Sequence, residues 1–201
     1  MKNKGFSLIE VLVAMTIATL IIMLVTTFAK DIFAYNSSSQ ASMTSQLEGR
    51  KVVKTMVSEL RSMSPSGQGS YPIDTAATST IVFYADVSGD NIADRVRYFF
   101  DPSTRSIKRG VIIASGSPST YTNTESFSAF MGDVSNGTST AVFDYFDKNY
   151  AGTSSPMSIP VDIHSVRLVR ITVKIDKDPN RNPIVTTVTS QAMLRNLKDN
   201  L

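Results

Sequence analysis

Apolar residues fall into two regimes along this chain. From Phe6 to Ala29 they run almost unbroken, interrupted only by small or hydroxylated residues and by one acid, Glu10. At roughly 1.5 Å per residue, the run makes a helix of about 36 Å. Its 24 residues exceed the about 20 needed to cross a bilayer's hydrocarbon core. After Ala29 the pattern changes to spaced apolar positions. No proline occurs between Ala29 and Ser64, and Val53, Met56, Leu60 and Met63 follow the 3-4-3 spacing of a helical stripe that packs on a following domain. Asn36-Ser37-Ser38-Ser39 and Gly49 are poor helix formers and are expected to soften or bend the rod. Ser64-Pro65-Ser66-Gly67-Gln68-Gly69-Ser70 ends it. A rod from Phe6 to Met63 would be about 87 Å long if straight.

The remainder alternates turn-rich pieces with short β-branched or aromatic runs. Strands are expected at Thr80–Tyr84, Arg95–Phe100, Ile107–Ile113, Ala141–Phe146, Val166–Asp176 and Ile184–Leu194. Asp94-Arg95-Val96-Arg97-Tyr98 alternates with period two, as a half-buried strand does, and so do Ile171, Val173 and Ile175 with Thr172 and Lys174. Val166-Arg167-Leu168 has the opposite phase, which predicts a bulge or bend near Val169. Asp178-Pro179-Asn180-Arg181-Asn182-Pro183 reads as a hairpin loop. The expected class is α+β: a long amino-terminal helix, partly transmembrane, followed by an antiparallel β-sheet head.

Composition adds bounds. The chain has 201 residues, 42% hydrophobic and 18% charged, which fits neither a disordered nor a wholly membrane-embedded protein. Beyond the apolar run, about 170 residues remain, enough for one modest domain with its own core. The net charge of +3 includes Lys2 and Lys4. Without residues 1–5 the balance is 18 basic against 17 acidic residues, so the basic pI does not argue for nucleic-acid binding by the folded part. With no cysteine, a disulfide framework, a zinc thiolate site and a catalytic thiol are all excluded.

Three readings compete for the amino terminus. A secretory signal peptide would be cut after Thr27-Phe28-Ala29, but its apolar stretch usually spans about 7–15 residues, and it leaves Glu10 unexplained. A plain single-pass anchor is consistent with Lys2 and Lys4 before the run and Lys30-Asp31 after it, which place the first residues in the cytoplasm and the rest outside. Yet a charge in a lipid-facing helix costs about 2.5–3.5 kcal/mol at mid-bilayer and ordinarily has a partner.

The third reading is a resemblance. Lys4-Gly5-Phe6-Ser7-Leu8-Ile9-Glu10-Val11-Leu12-Val13-Ala14-Met15 resembles the class III leader junction of type IV prepilins and type II secretion pseudopilins. In that family a membrane-embedded aspartyl peptidase cuts after the glycine and methylates the amine of the next phenylalanine. The resemblance implies processing at Gly5 and Phe6, a leader charge from Lys2 and Lys4, and assembly through Glu10 and Phe6. Phe6 and Glu10 stand four residues apart, on one helical face. In a low-dielectric setting a carboxylate attracts an ammonium far more strongly than in water. The family implies that Glu10 of an incoming subunit meets the Phe6 amine of a neighbour.

The resemblance implies a pilin "lollipop" with a cleaved leader (1–5), a transmembrane and assembly helix (6–29), an outer half-helix (30–64) and a β-rich head (65–201). Expected partners are other pilin or pseudopilin subunits, prepilin peptidase, an inner-membrane assembly platform and, before assembly, membrane lipid. The expected location is the bacterial inner membrane with the head outside, then the filament. Unlike many major pilins, the apolar run has no proline. Phe83 through Tyr98, then Arg109, with the closing Val188…Met193-Leu194-Arg195-Asn196, resembles the heads of J-family minor pseudopilins and PilW-like minor pilins. That favours a minor, tip-associated subunit.

The head offers few sites. Asp86, Ser88, Asp90 and Asp94 stand at relative positions 1, 3, 5 and 9, a spacing like that of a calcium loop. The twelfth position is Arg97 rather than Glu, so a hairpin turn capped by Asx side chains is the competing reading. No other cofactor is expected. The sole histidine, His164, lies near Asp162, but no nucleophile motif or second histidine accompanies it, and no enzyme is expected. The polar loops at 115–124 and 135–140 suit exposed surface. The alternative function is a binding module, with the head capturing a surface, DNA or secreted cargo. Apart from Arg167, Arg170 and Lys174, basic residues are scattered among acids, which disfavours DNA.

Overall fold

The structure is a computed structural model that describes residues 5, 7–177, 185–194 and 197. The chain divides into two compact units, Met1–Met43 and Thr44–Leu201. One α-helix, α1, spans Leu8–Arg61. Its residues up to Met43 form the first unit, and from Thr44 it belongs to the second. The class is α+β, a long amino-terminal apolar helix followed by antiparallel sheets.

The weak helix formers do not interrupt α1. Asn36 through Ser39 stay helical, with Ser37 Oγ donating to the Ala34 carbonyl and Gln40 Nε2 donating to Asn36 Oδ1. Gly49 serves packing instead. A Cβ added there would stand 2.6 Å from Ile175 Cδ1 and 2.9 Å from Val188 Cγ2, so the missing side chain lets the helix press onto the strands beneath. The stripe of Val53, Met56, Leu60 and Met63 is buried in the core of the second unit.

Two antiparallel sheets complete that unit. The first is a meander in the order β1 (Ile73–Ala76), β2 (Thr80–Ala85), β3 (Asp94–Asp101), β4 (Ser106–Ile112) and β5 (Ser126–Met131). The second orders β6 (Phe143–Phe146), β7 (Leu168–Ile175) and β8 (Thr186–Met193). A 3₁₀ turn, Ile163–Ser165, precedes β7. Each expected strand is present, within a few residues of its expected ends. β1 and β5 are additional. The last expected strand begins at Thr186 among the described residues; its start at Ile184 and the hairpin loop 178–183 lie outside them.

The bulge expected near Val169 is not there. Leu168 to Ile171 pair with Phe146 to Phe143 in unbroken register, and β7 pairs with β8 without a shift. The phase changes because both faces are covered at that end. Val169 lies in the main core, while Leu168, 6% exposed, pairs with Phe146 on the opposite face, where the Tyr150 ring lies 4.3 Å from the Phe146 ring. Register shifts occur elsewhere, between Ile73 and Thr75 and between Ile107 and Lys108.

The helix is pinned to the first sheet by charge as well as by packing. Arg109 on β4 forks onto Glu59 of α1, Nη2 to Oε1 at 2.9 Å and Nε to Oε2 at 3.1 Å, and Tyr98 on β3 donates its hydroxyl to Glu59 Oε2 at 2.8 Å. Burial, reinforced by the Glu59 charge, pushes the Tyr98 phenol well above its ordinary range. Burial works against the Arg109 charge, but its bonds to Glu59 outweigh that and raise its pKa.

Candidate functional site

The amino-terminal segment is built from a helix start and an uncovered apolar surface. Ser7 precedes the first helical residue, Leu8, and Glu10 stands at the third helical position, the Ser-x-x-Glu spacing of a capping box. Glu10 Oε2 accepts the Ser7 N–H at 3.0 Å. This satisfies a backbone donor that the helix itself leaves open, and it sets the negative charge against the positive end of the helix dipole. The acid that looks misplaced in an apolar run therefore already has a local structural role. Lys2, Lys4 and Phe6 lie outside the described residues.

Gly5 is exposed, and a Cβ added to it would meet nothing within 4 Å. Its backbone does not adopt the left-handed region that favours glycine. Nothing among the described residues requires glycine at this position. Gly49 and Gly110 differ, each having a neighbour where a Cβ would be: at Gly110 the Glu125 carboxylate, which pairs with Arg97 Nη2 at 2.8 Å.

Beyond Glu10 the surface is apolar. Leu12, Ile17, Leu20, Leu24 and Phe28 are all more than half exposed. An 18-residue window of α1 has a mean hydropathy of 2.7, with none of it buried within the chain. By length and composition this helix is able to cross a membrane. Its threonines fit the same setting. Thr16, Thr19, Thr26 and Thr27 each return their hydroxyl to a carbonyl three or four residues back, at 2.8–3.2 Å, so none presents an unsatisfied donor to an apolar environment.

The calcium-like loop is used differently. Asp94 is fully buried, and its carboxylate accepts the amides of Val87 (3.2 Å), Ser88 (3.0 Å) and Ala114 (3.0 Å). Asp86 accepts those of Gly89 and Asn91, at 2.7 and 2.9 Å, and Asp90 accepts that of Ile92 at 2.9 Å. Ser88 Oγ lies 3.5 Å from Asp86 Oδ1. These are the bonds of Asx-capped turns closing the β2–β3 hairpin. Among the described residues, no three acid or imidazole side chains form a group able to hold a metal ion.

The other candidates are likewise structural in geometry. Asp162 caps the 3₁₀ turn, accepting the His164 backbone amide and the Ser165 hydroxyl, and these bonds hold its carboxyl below its ordinary range. It does not orient the imidazole, which instead lies 4.4 Å from the Tyr71 ring. Arg170 pairs with Asp144, Lys174 donates to Thr140 Oγ1, and Arg167 donates to the His164 and Val166 carbonyls. They do not form a free basic stripe.

Residues 1–26 match the family described as the prokaryotic N-terminal methylation motif. The chain carries the class III prepilin leader of type IV pilin-like proteins, on a long amino-terminal helix that fits a membrane-anchored pilin. The match concerns amino-terminal methylation and covers 26 of the 201 residues. No curated protein and no solved structure matches this chain.

Proposed function

We propose that this protein is a minor subunit of a type IV pilus or a type II secretion pseudopilus, cut between Gly5 and Phe6, methylated on the new amine and incorporated near the tip. The carrying observation is the joint one at the amino terminus: a methylation motif, a glycine that the described residues do not require, and one acid in the otherwise uncharged, exposed apolar stretch of α1 from residue 8 to residue 28. Before assembly the helix sits in the inner membrane with the head outside the cytoplasm, consistent with Lys2 and Lys4 preceding the run. An assembly platform then moves it into the filament.

In this reading Glu10 changes partners. In the single subunit it accepts the Ser7 amide. In the filament it pairs with the methylated Phe6 amine of a neighbour. An ammonium in a low-dielectric surround offers a much stronger partner than a neutral amide, so exchange favours assembly and fixes its register. The Glu10→Ala variant is expected to insert into membranes and to be cut normally, but to be missing from sheared filaments. Its incorporation at the wild-type level would remove the assembly role.

The role is structural rather than catalytic. DNA capture by the head receives no support from Arg167, Arg170 and Lys174, whose cationic groups all bind within the head.

A further inference from the structure

A groove of about 460 Å³ opens in the second unit between three segments distant in sequence: the β1–β2 turn, the end of β3 and the loop 137–142. Its volume lies in the range of small-molecule sites, about 300–1,000 Å³. Among the described residues, no ionisable side chain lines it. The nearby charged groups make hydrogen bonds within the head. Asp101, between the lining residues Phe100 and Pro102, pairs with Lys108 at 2.6 Å, and the Lys174 ammonium is held by Thr140 Oγ1 at 2.9 Å.

The loop is built to hold its shape. Asn136 is 1% exposed, and its side chain joins its own loop to β7. Nδ2 donates to the Thr172 carbonyl at 2.8 Å and, more distantly, to those of Thr140 and Ala141, while Oδ1 accepts the Lys174 amide at 2.9 Å. Gly137 follows with φ +59, which turns the chain so that Thr138 and Ser139 stand exposed at the loop's apex. Val142 and Phe143 donate their amides to the Thr78 carbonyl, tying this loop to the β1–β2 turn.

The groups left over have a common chemistry. Among the described residues, the hydroxyls of Thr78, Ser79, Thr138 and Ser139 make no hydrogen bond, and all four line the groove. A hydroxyl both donates and accepts, so four of them around a neutral space match a ligand whose own groups do the same. The Phe100 and Pro102 rings add apolar surface for the C–H face of such a ligand. A preformed loop lowers the ordering cost of binding. An anionic ligand would find no cationic side chain among the described residues that line it.

We propose that this groove is a binding site for a neutral saccharide. The proposal is independent of the filament reading, because it concerns the second unit alone.

The test uses the full chain in dodecylphosphocholine micelles, since glycoside detergents would compete for the site. Saturation-transfer NMR is recorded with D-glucose, D-galactose, D-mannose and N-acetylglucosamine as probes, and with glucose 6-phosphate as an anionic control. At least one neutral sugar is expected to show transfer with millimolar affinity. The combined S79A, T138A and S139A variant is expected to weaken it about ten-fold or more, given the loss of three hydrogen-bonding groups, with an unchanged melting temperature because all three residues are exposed. Absence of transfer to all four sugars, transfer unaltered in the variant, or preference for the phosphorylated sugar would each overturn the proposal.

Discussion

At the scale of single residues, one half-buried carboxylate with two partners ties the helix to the first sheet of the second unit. Glu59 accepts both a guanidinium fork and a phenol, and its side chain is 18% exposed. Removing it leaves Arg109 charged and Tyr98 without an acceptor in partly dry surroundings, which costs more than the pair itself contributes. Glu59→Ala is expected to destabilise the second unit by about 3 kcal/mol, read from denaturant unfolding of the full chain in detergent. A loss under about 1 kcal/mol would mean the pair is solvated and of little consequence. The tyrosines supply a second readout. Burial raises the pKa values of Tyr98 and Tyr145 above the ordinary 10.0. Unfolded chains therefore lose these phenolic protons first, so stability is fully present below pH 10 and is lost as pH rises beyond it. In an alkaline absorbance titration, two of the seven tyrosines are expected to ionise only as the second unit unfolds. Simple titration of all seven near pH 10 would contradict the burial of these two rings.

At the scale of elements, the legible parts were those in which one face is dry and the other wet. The helical stripe at Val53, Met56, Leu60 and Met63 and the alternation in β3 could both be read for that reason. β1 was missed because Ile-Asp-Thr-Ala buries only its first residue, and β5 because Ser126 to Ala129 are exposed on successive positions, leaving no alternation to read. The expected bulge failed because a phase change was taken as a backbone defect, whereas local cover on the second face accounts for it. Gly49 was read by propensity, as a softening of the helix, when close approach to Ile175 and Val188 explains it. That distinction is testable. Gly49→Val is expected to lower the melting temperature of the full chain by several degrees, because the added carbons overlap Val188, and overpacking typically costs about 1–3 kcal/mol. A variant with equal or higher stability would restore the propensity reading.

At the scale of the whole molecule, the amino terminus was legible because its meaning is local: Lys4, Gly5, Phe6 and Glu10 are close in sequence and are read as a linear motif. The saccharide groove was not legible, since its walls come from residues 78–79, from Phe100 and Pro102, and from residues 137–142, which only folding brings together. The capping bond from Ser7 to Glu10 was also missed, although its Ser-x-x-Glu spacing is present in the sequence. Processing and assembly both converge on a single covalent feature, the identity of the first residue of the mature chain. Mass spectrometry of the amino-terminal peptide, taken from filaments sheared off intact cells, reads it directly. The expected result is this chain within the filament fraction, beginning at Phe6 and one methyl group heavier than the unmodified peptide. A chain present in cells but absent from filaments, or one beginning at Met1 or after Ala29, would contradict the filament-subunit reading.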